Sequence, residues 1–314
     1  MQTHPDVAGA RFVRRAWQTS PPLVVFAGLS LAFAAGAGIG IVVDARTLDD
    51  VSVWLKPLKF GVSNAAFAVT LAWMLADLSD RRRFVQRVGW GVALVFALEN
   101  ALIALQAARG VHSHFNATTY LDAAIVTTMG AAIIAAMGLC VAIARALFRR
   151  PASGACAHAA RLGLAIAIGG ASIGGLMGVP TRDQLSNVRE GAVLGGHTVG
   201  GPDGGPGLPV THWSRSHGDL RVAHFAGLHA MQVLPLAGWV IARRQRSAVL
   251  QHALVRAAAA AYAALVGILL WQALRGESVA SPGAATVLAF VLATVSIGVA
   301  VVSAMRRMPA LEAL

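Results

Sequence analysis

PLVVFAGLSLAFAAGAGIGIVV, Pro22 to Val43, runs for 22 residues without a charged side chain. The hydrocarbon core of a bilayer is about 30 Å thick and an α-helix rises about 1.5 Å per residue, so roughly 20 apolar residues cross it. The segment is longer than a typical signal-peptide core and shows no obvious small-residue cleavage site, so it reads as a retained spanning helix. Seven more windows of the same kind lie near 57–78, 88–108, 120–146, 159–179, 222–242, 255–274 and 282–305. The expectation is an all-α polytopic membrane helix bundle of about eight transmembrane helices, a single integral membrane domain over 1–314.

Composition agrees. Of the 314 residues, 56% are hydrophobic and 13% charged, and mean hydropathy is +0.64, too apolar for a water-soluble domain of this size. A net charge of +12 would suit nucleic acid, but its distribution speaks for topology instead, and no nucleic-acid partner is expected. With the N-terminus in the cytoplasm, Arg11, Arg14, Arg15, Arg81, Arg82, Arg83, Arg87, Arg145, Arg149, Arg150, Arg161, Arg243, Arg244, Arg246, Arg256, Arg306 and Arg307 all fall inside. These are 17 of the 26 Lys and Arg, so the positive-inside rule places both termini in the cytoplasm. Trp17, Trp54, Trp73, Trp213, Trp239 and Trp271 fall near span ends, where an amphipathic ring suits the headgroup layer. The 2 cysteines, Cys140 and Cys156, offer neither a disulfide framework nor a thiolate zinc site, so any metal would need His and carboxylate.

Most connections are short, as packed antiparallel helices require. The exception, Thr181 to Arg221, is placed outside, and its middle, GGHTVGGPDGGPGLP, is rich in turn-forming residues. It reads either as a flexible linker or, because it also holds His197, Asp203, His212, Trp213, Arg215, His217 and Asp219, as a folded lid. No internal repeat is visible. Ahead of the second span, TLDDVSVWLKPLKF suggests a short interfacial helix capped by Thr47, with Pro57 opening a new helix. Lys56 and Lys59 then sit at the outer boundary, either snorkelling toward headgroups or binding an anionic headgroup or a buried carboxylate.

Ionisable groups in lipid are costly, so they usually face the protein interior and pair. Here they concentrate in two places. The third span holds Glu99, Asn100 and Gln106 and runs into ARGVHSHFNATTYLD, with Arg109, His112, His114, Asn116 and Asp122. The sixth span opens with SHGDLRVAHFAGLHAMQ, with His217, Asp219, Arg221, His224, His229 and Gln232. Counting helical rise from the outer ends puts Glu99 and His229 both roughly 12 to 14 Å deep, near the midplane, so they could meet. His224 and His229 are five residues apart, about 140° around the helix, and do not chelate one ion by themselves. His229 and Gln232 share a face. A Glu99–His229 pair would be a structural lock between helices, a metal or catalytic site, or part of a proton or ion path.

Two apparent catalytic motifs carry no weight. GASIG, Gly170 to Gly174, matches the nucleophile-elbow pattern, but it lies within a span rather than a strand-turn-helix; Gly170, Gly174 and Gly178 read as small residues for close helix packing. Ser216, His217 and Asp219 are too close in sequence for triad geometry.

WLKPLKF, QAARGVHSHFN, and GGPGLP followed by GDLRVAHFAGLHAMQ together resemble an uncharacterised family of bacterial multi-pass membrane proteins. The likeness spans most of the chain and implies the bacterial cytoplasmic (inner) membrane, with no activity attached. In residue types the chain is also similar to zinc-dependent membrane hydrolases of the ceramidase and adiponectin-receptor group, but it lacks their HxxxH pair in the sixth or last span.

The leading expectation is an outward-facing His and carboxylate pocket between spans three, four and six, roofed by the Gly-rich loop 181–221 and acting on a lipid-like or membrane substrate. Its metal ligands would be His114, Asp122, His224 and His229, its catalytic pair Glu99 and His229, and its substrate-binding groups Lys56, Lys59, Arg109, Arg221 and Gln232. Zinc suits that N/O donor set. Haem fits less well, since it leaves only an outer-boundary pair such as His114 with His224. The competing readings are a transporter or proton-coupled permease and a structural or interaction subunit. All depth arguments depend on orientation: a reporter fused near Gly204 is expected to give an extracytoplasmic signal and one at the C-terminus a cytoplasmic signal, and the reverse pattern would invert every assignment.

Overall fold

The structure, a computed structural model, describes residues 13–186 and 193–311. Among them, 8 helices are long and apolar enough to cross a membrane. They are α1 (Pro21–Val43), α2 (Leu55–Leu75, extended by a 3-10 turn Ala76–Leu78), α3 (Arg82–Arg109), α4 (Tyr120–Phe148), α5 (Ala155–Met177), α6 (Leu220–Arg244), α7 (Ala248–Leu274) and α8 (Ala284–Leu311). The protein is an all-α polytopic membrane bundle. Arg11 and the two chain ends, and with them the expected cytoplasmic termini, lie outside the described residues, as do the side chains of Arg306 and Arg307. The two ends of the spans are named outer and inner after the charge asymmetry.

The helices begin and end where the local chemistry directs. Pro21 and Pro22 occupy the first turn of α1, where a missing N–H leaves no hydrogen bond unmade. Gly110 closes α3 with φ +69°, a left-handed conformation that glycine adopts without a Cβ penalty. Asp219 caps α6 by accepting from the Arg221 N–H, and Ser247 caps α7 by accepting from Leu250. Several helices outrun their apolar windows because arginine-bearing turns continue them into the headgroup layer. Large apolar side chains such as Leu288, Leu292, Val295 and Val299 on α8 are exposed, as acyl chains would solvate them.

One local expectation changes. The stretch before α2 is a two-residue hairpin rather than an interfacial helix: β1 (Thr47–Leu48) pairs antiparallel with β2 (Val51–Ser52). Asp49 and Asp50 occupy its turn with φ of 50° and 60°. Two successive positive φ values match the twist of paired strands, and aspartate tolerates them better than most residues, so the acids serve the turn instead of a helix start.

The chain divides into two compact units, Met1–Leu147 with Thr181–Leu194, and Phe148–Pro180 with Gly195–Leu314. In the first, α1, α2 and α3 pack on one another, and α4 joins through Ile125 and Met129 against Ile103. A buried polar line ties three helices: Asn64 on α2 donates to Asn100 on α3 (2.8 Å), which donates to Ser30 on α1 (3.4 Å). Phe26, Phe67 and Phe96 stack in the same unit, with ring centroids 6.4 Å and 5.1 Å from Phe96.

The second unit is built on α5 against α6. A Cβ added at Gly170 would lie 2.5 Å from the Gly227 Cα, and one at Gly163 2.6 Å from the Ala230 carbonyl oxygen. Gly170 therefore has the packing role its sequence suggests, and Gly174 faces the His224 ring. A Cβ at Gly178, by contrast, would meet only Gly175 of its own helix. Gly227 serves close approach, and α6 runs unbroken through Pro235. The long outer segment is folded: β3 (Thr198–Val199) pairs with β4 (Gly218–Asp219), and Gly207 bridges to Ser214. The Asp203 carboxylate accepts from the His197 and Thr198 backbone N–H groups. Burial works against ionisation there, but the bonds from His197 and Thr198 outweigh it and hold this carboxyl well below the usual carboxylate range.

Gly170 and its neighbour Gly169 make a matched test, because nothing lies within 4 Å of a Cβ at Gly169. Gly170→Ala is expected to destabilise the detergent-solubilised protein by about 1–3 kcal/mol through overpacking, lowering its thermal midpoint. Gly169→Ala is expected to leave the midpoint unchanged or raise it slightly.

Candidate functional site: a lysine, histidine and glutamate in line

The first unit contains Lys56, Lys59, Glu99, Arg109, His114 and Asp122, and the second Arg221, His224, His229 and Gln232. The Glu99–His229 pair expected from depth thus joins residues of different units. Within its own unit, Glu99 has a different histidine beside it.

Glu99 projects from α3, about eight turns long, and is fully buried. Neither carboxylate oxygen has a hydrogen bond among the described residues. The nearest polar group is His114 Nε2, 3.4 Å from Oε1. His114 belongs to the α3–α4 connection, and the chain reverses just after it at Phe115, whose φ is 65°. Phe115 is fixed there by its carbonyl, which accepts from the Leu194 N–H at 2.7 Å. The opposite nitrogen of the ring, Nδ1, lies 2.9 Å from Lys56 Nζ and 3.1 Å from Ser113 Oγ, and Phe60 packs on the ring at 5.9 Å.

The donor inventory fixes the tautomer. An ammonium offers only hydrogens, so Lys56 donates and Nδ1 accepts. The imidazole proton then sits on Nε2, the atom facing Glu99. The result is a directed line from Lys56 in the first turn of α2, through a neutral His114, to a carboxylate in the interior of α3. The remaining gap is a few tenths of an ångström longer than a hydrogen bond. Lys59, three residues along α2, shares a helix face with Lys56.

Asp122 has another role. It is 2% exposed in the first turn of α4, and it accepts from Arg109 Nη1 (2.5 Å), Gln106 Nε2 (3.0 Å), Thr119 Oγ1 (2.6 Å) and Thr118 Oγ1 (3.3 Å). Its oxygens are occupied, and Arg109, expected to hold a substrate, directs its Nη1 to Asp122 and Gln106. Together they fasten the end of α3 to the start of α4. A second clasp holds the hairpin: Asp44 accepts from Arg46 and from Trp54 Nε1, while Arg46 also donates to the Ala108 carbonyl. The Arg46 side-chain bonds, followed by that of Trp54, hold the Asp44 carboxyl well below the usual range.

In the second unit the expected site residues are likewise engaged. Arg221 grips Asp219 through Nε (3.0 Å) and Nη2 (2.6 Å) and donates to the His212 carbonyl (2.7 Å), so it anchors the folded loop. His224 donates Nδ1–H to the Gly170 carbonyl at 2.8 Å. His229 stacks on Phe225 at 4.2 Å and hydrogen-bonds Gln232.

The four expected metal ligands therefore fall two to a unit, with Asp122 saturated and His224 committed to a backbone carbonyl. Among the described residues no group of three or more His, Cys, Asp and Glu side chains is arranged to hold a metal ion. Sequence reasoning placed Glu99 at depth but overlooked Asn64 and Ser113. A lone asparagine inside an apolar window was the available signal for the first.

Because Asp122 is a fastener, Asp122→Ala is expected to strand the Arg109 charge and cost about 3 kcal/mol, read as a lower thermal midpoint in detergent. A variant as stable as the wild type would return Asp122 to the list of ligand candidates. No protein-family model, curated protein or solved structure matches this chain, and its chemistry rests on its own residues.

Proposed function

We propose that this multi-pass membrane protein is a proton-coupled transporter of the bacterial cytoplasmic membrane, in which Lys56, His114 and Glu99 load a proton from the outer side. The observation that carries this reading is a fully buried carboxylate without a hydrogen bond, facing the protonated nitrogen of a histidine whose other nitrogen accepts from a lysine. In the loading step Lys56 passes a proton to Nδ1 and His114 passes its Nε2 proton to Glu99 Oε1. The imidazole stays neutral with its tautomer exchanged. An ammonium and a carboxylate become an amine and a carboxylic acid, and external water reprotonates Lys56. A neutral pair is far cheaper than a charged one in a medium of low polarity.

Two features favour transport over hydrolysis. Asn100, Asn64 and Ser30 extend the polar region sideways at the depth of Glu99, and Phe96, one turn further in on α3, joins Phe26 and Phe67 as an apolar seal on the inner side. A buried polar region bounded on one side by apolar rings is what an alternating-access cycle would need. The hydrolase reading needs a clustered metal, and the described residues offer none.

The test is proton flux into vesicles containing purified protein, driven by an imposed pH difference. Wild type is expected to exceed protein-free vesicles, and Glu99→Gln and His114→Phe are each expected to lower the flux at least about a hundredfold, the modest end of what losing a proton-transfer group costs. If Glu99→Gln carries wild-type flux, or if wild type does not exceed empty vesicles, the proton reading fails and the buried line is a structural lock.

A further inference from the structure

The segment VHSHF, Val111 to Phe115, leaves α3 and carries His114, and its backbone is held on both sides. After the left-handed Gly110, the Val111 N–H donates to the Gln106 carbonyl (3.1 Å), and the His112 carbonyl accepts from Gln106 Nε2 (3.3 Å). Beyond His114, the Phe115 carbonyl accepts from Leu194 (2.7 Å). Ser113 lies between these fixed points and is 6% exposed. Its Oγ is 3.1 Å from His114 Nδ1, the atom that also faces Lys56 Nζ at 2.9 Å. One ring nitrogen thus has both a charged donor and a hydroxyl beside it.

The two neighbours differ in what they can accept. An ammonium has no lone pair, whereas a hydroxyl has one proton to give and two lone pairs, and its O–H turns to suit. Before loading, Nδ1 accepts, and the charge-assisted bond from Lys56 is the stronger of the two. Once a proton has moved from Lys56 to Nδ1 and another from Nε2 to Glu99, the new Nδ1–H can donate to the neutral lysine. Reprotonation of Lys56 by external water then removes that acceptor and sets two donors against each other. Ser113 Oγ is within reach to accept in its place.

We propose that Ser113 is the latch of the loading step: its hydroxyl accepts the Nδ1–H of His114 once Lys56 has been reprotonated, and so holds the proton on Glu99. The latch rests on the proton reading and names the residue that keeps a loaded proton loaded. In the step as a whole an N–H bond of Lys56 breaks and is remade from external water, an N–H forms on Nδ1, the N–H on Nε2 breaks, and an O–H forms on Glu99 Oε1. The line takes up one proton, and Glu99 is left as a carboxylic acid donating to Nε2. With Lys56 again an ammonium, the Nδ1 proton has no lone pair there to return to, so loading reverses only after the lysine has lost a proton to the outside. Ser113 acts through the ring and carries none of the transferred protons, which makes it a positioning residue. Alanine in its place would leave a buried N–H facing an ammonium, and an unmade bond of that kind lowers the loaded population by at least about fivefold.

The full-length protein, isotope-labelled on its histidine nitrogens and reconstituted in phosphatidylcholine vesicles, is followed by solid-state nitrogen NMR, which separates the two neutral tautomers. The His114 signal is identified as the one lost in His114→Phe. As the pH falls, wild-type His114 is expected to move from the Nε2–H to the Nδ1–H tautomer. Ser113→Ala is expected to lower the ratio of Nδ1–H to Nε2–H about fivefold at each pH. Because loading takes up one proton, the midpoint of the change then moves to lower pH by about 0.7 unit. Ser113→Thr, which keeps the hydroxyl, is expected to follow the wild type. A wild-type ratio in Ser113→Ala, or a Ser113→Thr protein of wild-type thermal midpoint that titrates as the alanine variant does, overturns the latch and leaves the loading step standing. A wild-type His114 that keeps its proton on Nε2 at every pH removes the loading step itself, and the latch with it.

Discussion

Hydrocarbon offers no hydrogen bonds, and most of this protein follows from that. A backbone crossing the membrane must satisfy its own N–H and C=O groups, which makes every crossing helical. Side chains face the same demand. Asn64, Asn100 and Ser30 meet it by binding one another across three helices, and Asp122 meets it with four donors from α3 and the segment joining it to α4. Glu99 alone among the buried carboxylates of the first unit has no hydrogen bond among the described residues. Its anomaly is informative because its neighbours are so completely paired.

Both units hold their helices together by close backbone approach and by polar ties, in different proportions. Apolar side chains gain little by leaving lipid for one another, so association within a membrane depends on close packing and on polar contacts. The first unit combines polar ties, the asparagine line and the Arg109–Asp122 fastener, with the close approach of Gly61 on α2 to the Ser30 and Ala34 main chain of α1. The second relies on backbone approach, with Gly163 and Gly170 of α5 set against Ala230 and Gly227 of α6 so closely that a methyl group would collide with main chain. His224 belongs to that second device: its ring rests beside Gly174 and its proton goes to the Gly170 carbonyl. A histidine that looked like a ligand in the sequence is thereby a tether between two helices.

The number and positions of the spans were legible because bilayer thickness imposes a length that local composition must meet. Partner choice was not. Depth matched Glu99 with His229, whereas within its unit Glu99 faces His114, a residue of a loop rather than a span. Rise along a helix says nothing of a chain that turns back at Phe115 and is pinned by the distant Leu194. The same blindness affected the acids before α2: Asp49 and Asp50 look equally suited to a helix start or a tight turn, and only the pairing of Thr47 with Ser52 decides. Asp122 was picked out as a metal ligand by its residue type, and in the structure its carboxylate accepts four hydrogen bonds that join α3 to the start of α4.

Direction in the Lys56–His114–Glu99 line arises from a chemical asymmetry rather than from distance. Lysine can only donate and an ionised carboxylate can only accept, so a histidine between them is held with its proton on the inward nitrogen. Reversing the order of the end groups would reverse the tautomer and point the line outward. In the proposed transfer to Glu99, the same ring would carry its proton on Nδ1, against a lysine that is an acceptor until it is reprotonated, so both hydrogen bonds would survive in inverted sense. The line therefore has two self-consistent states that differ by one proton at depth. Phe96 and its ring partners lie one turn further along α3 from Glu99, so in the proposed loading step a proton on Glu99 would leave inward only if those rings parted.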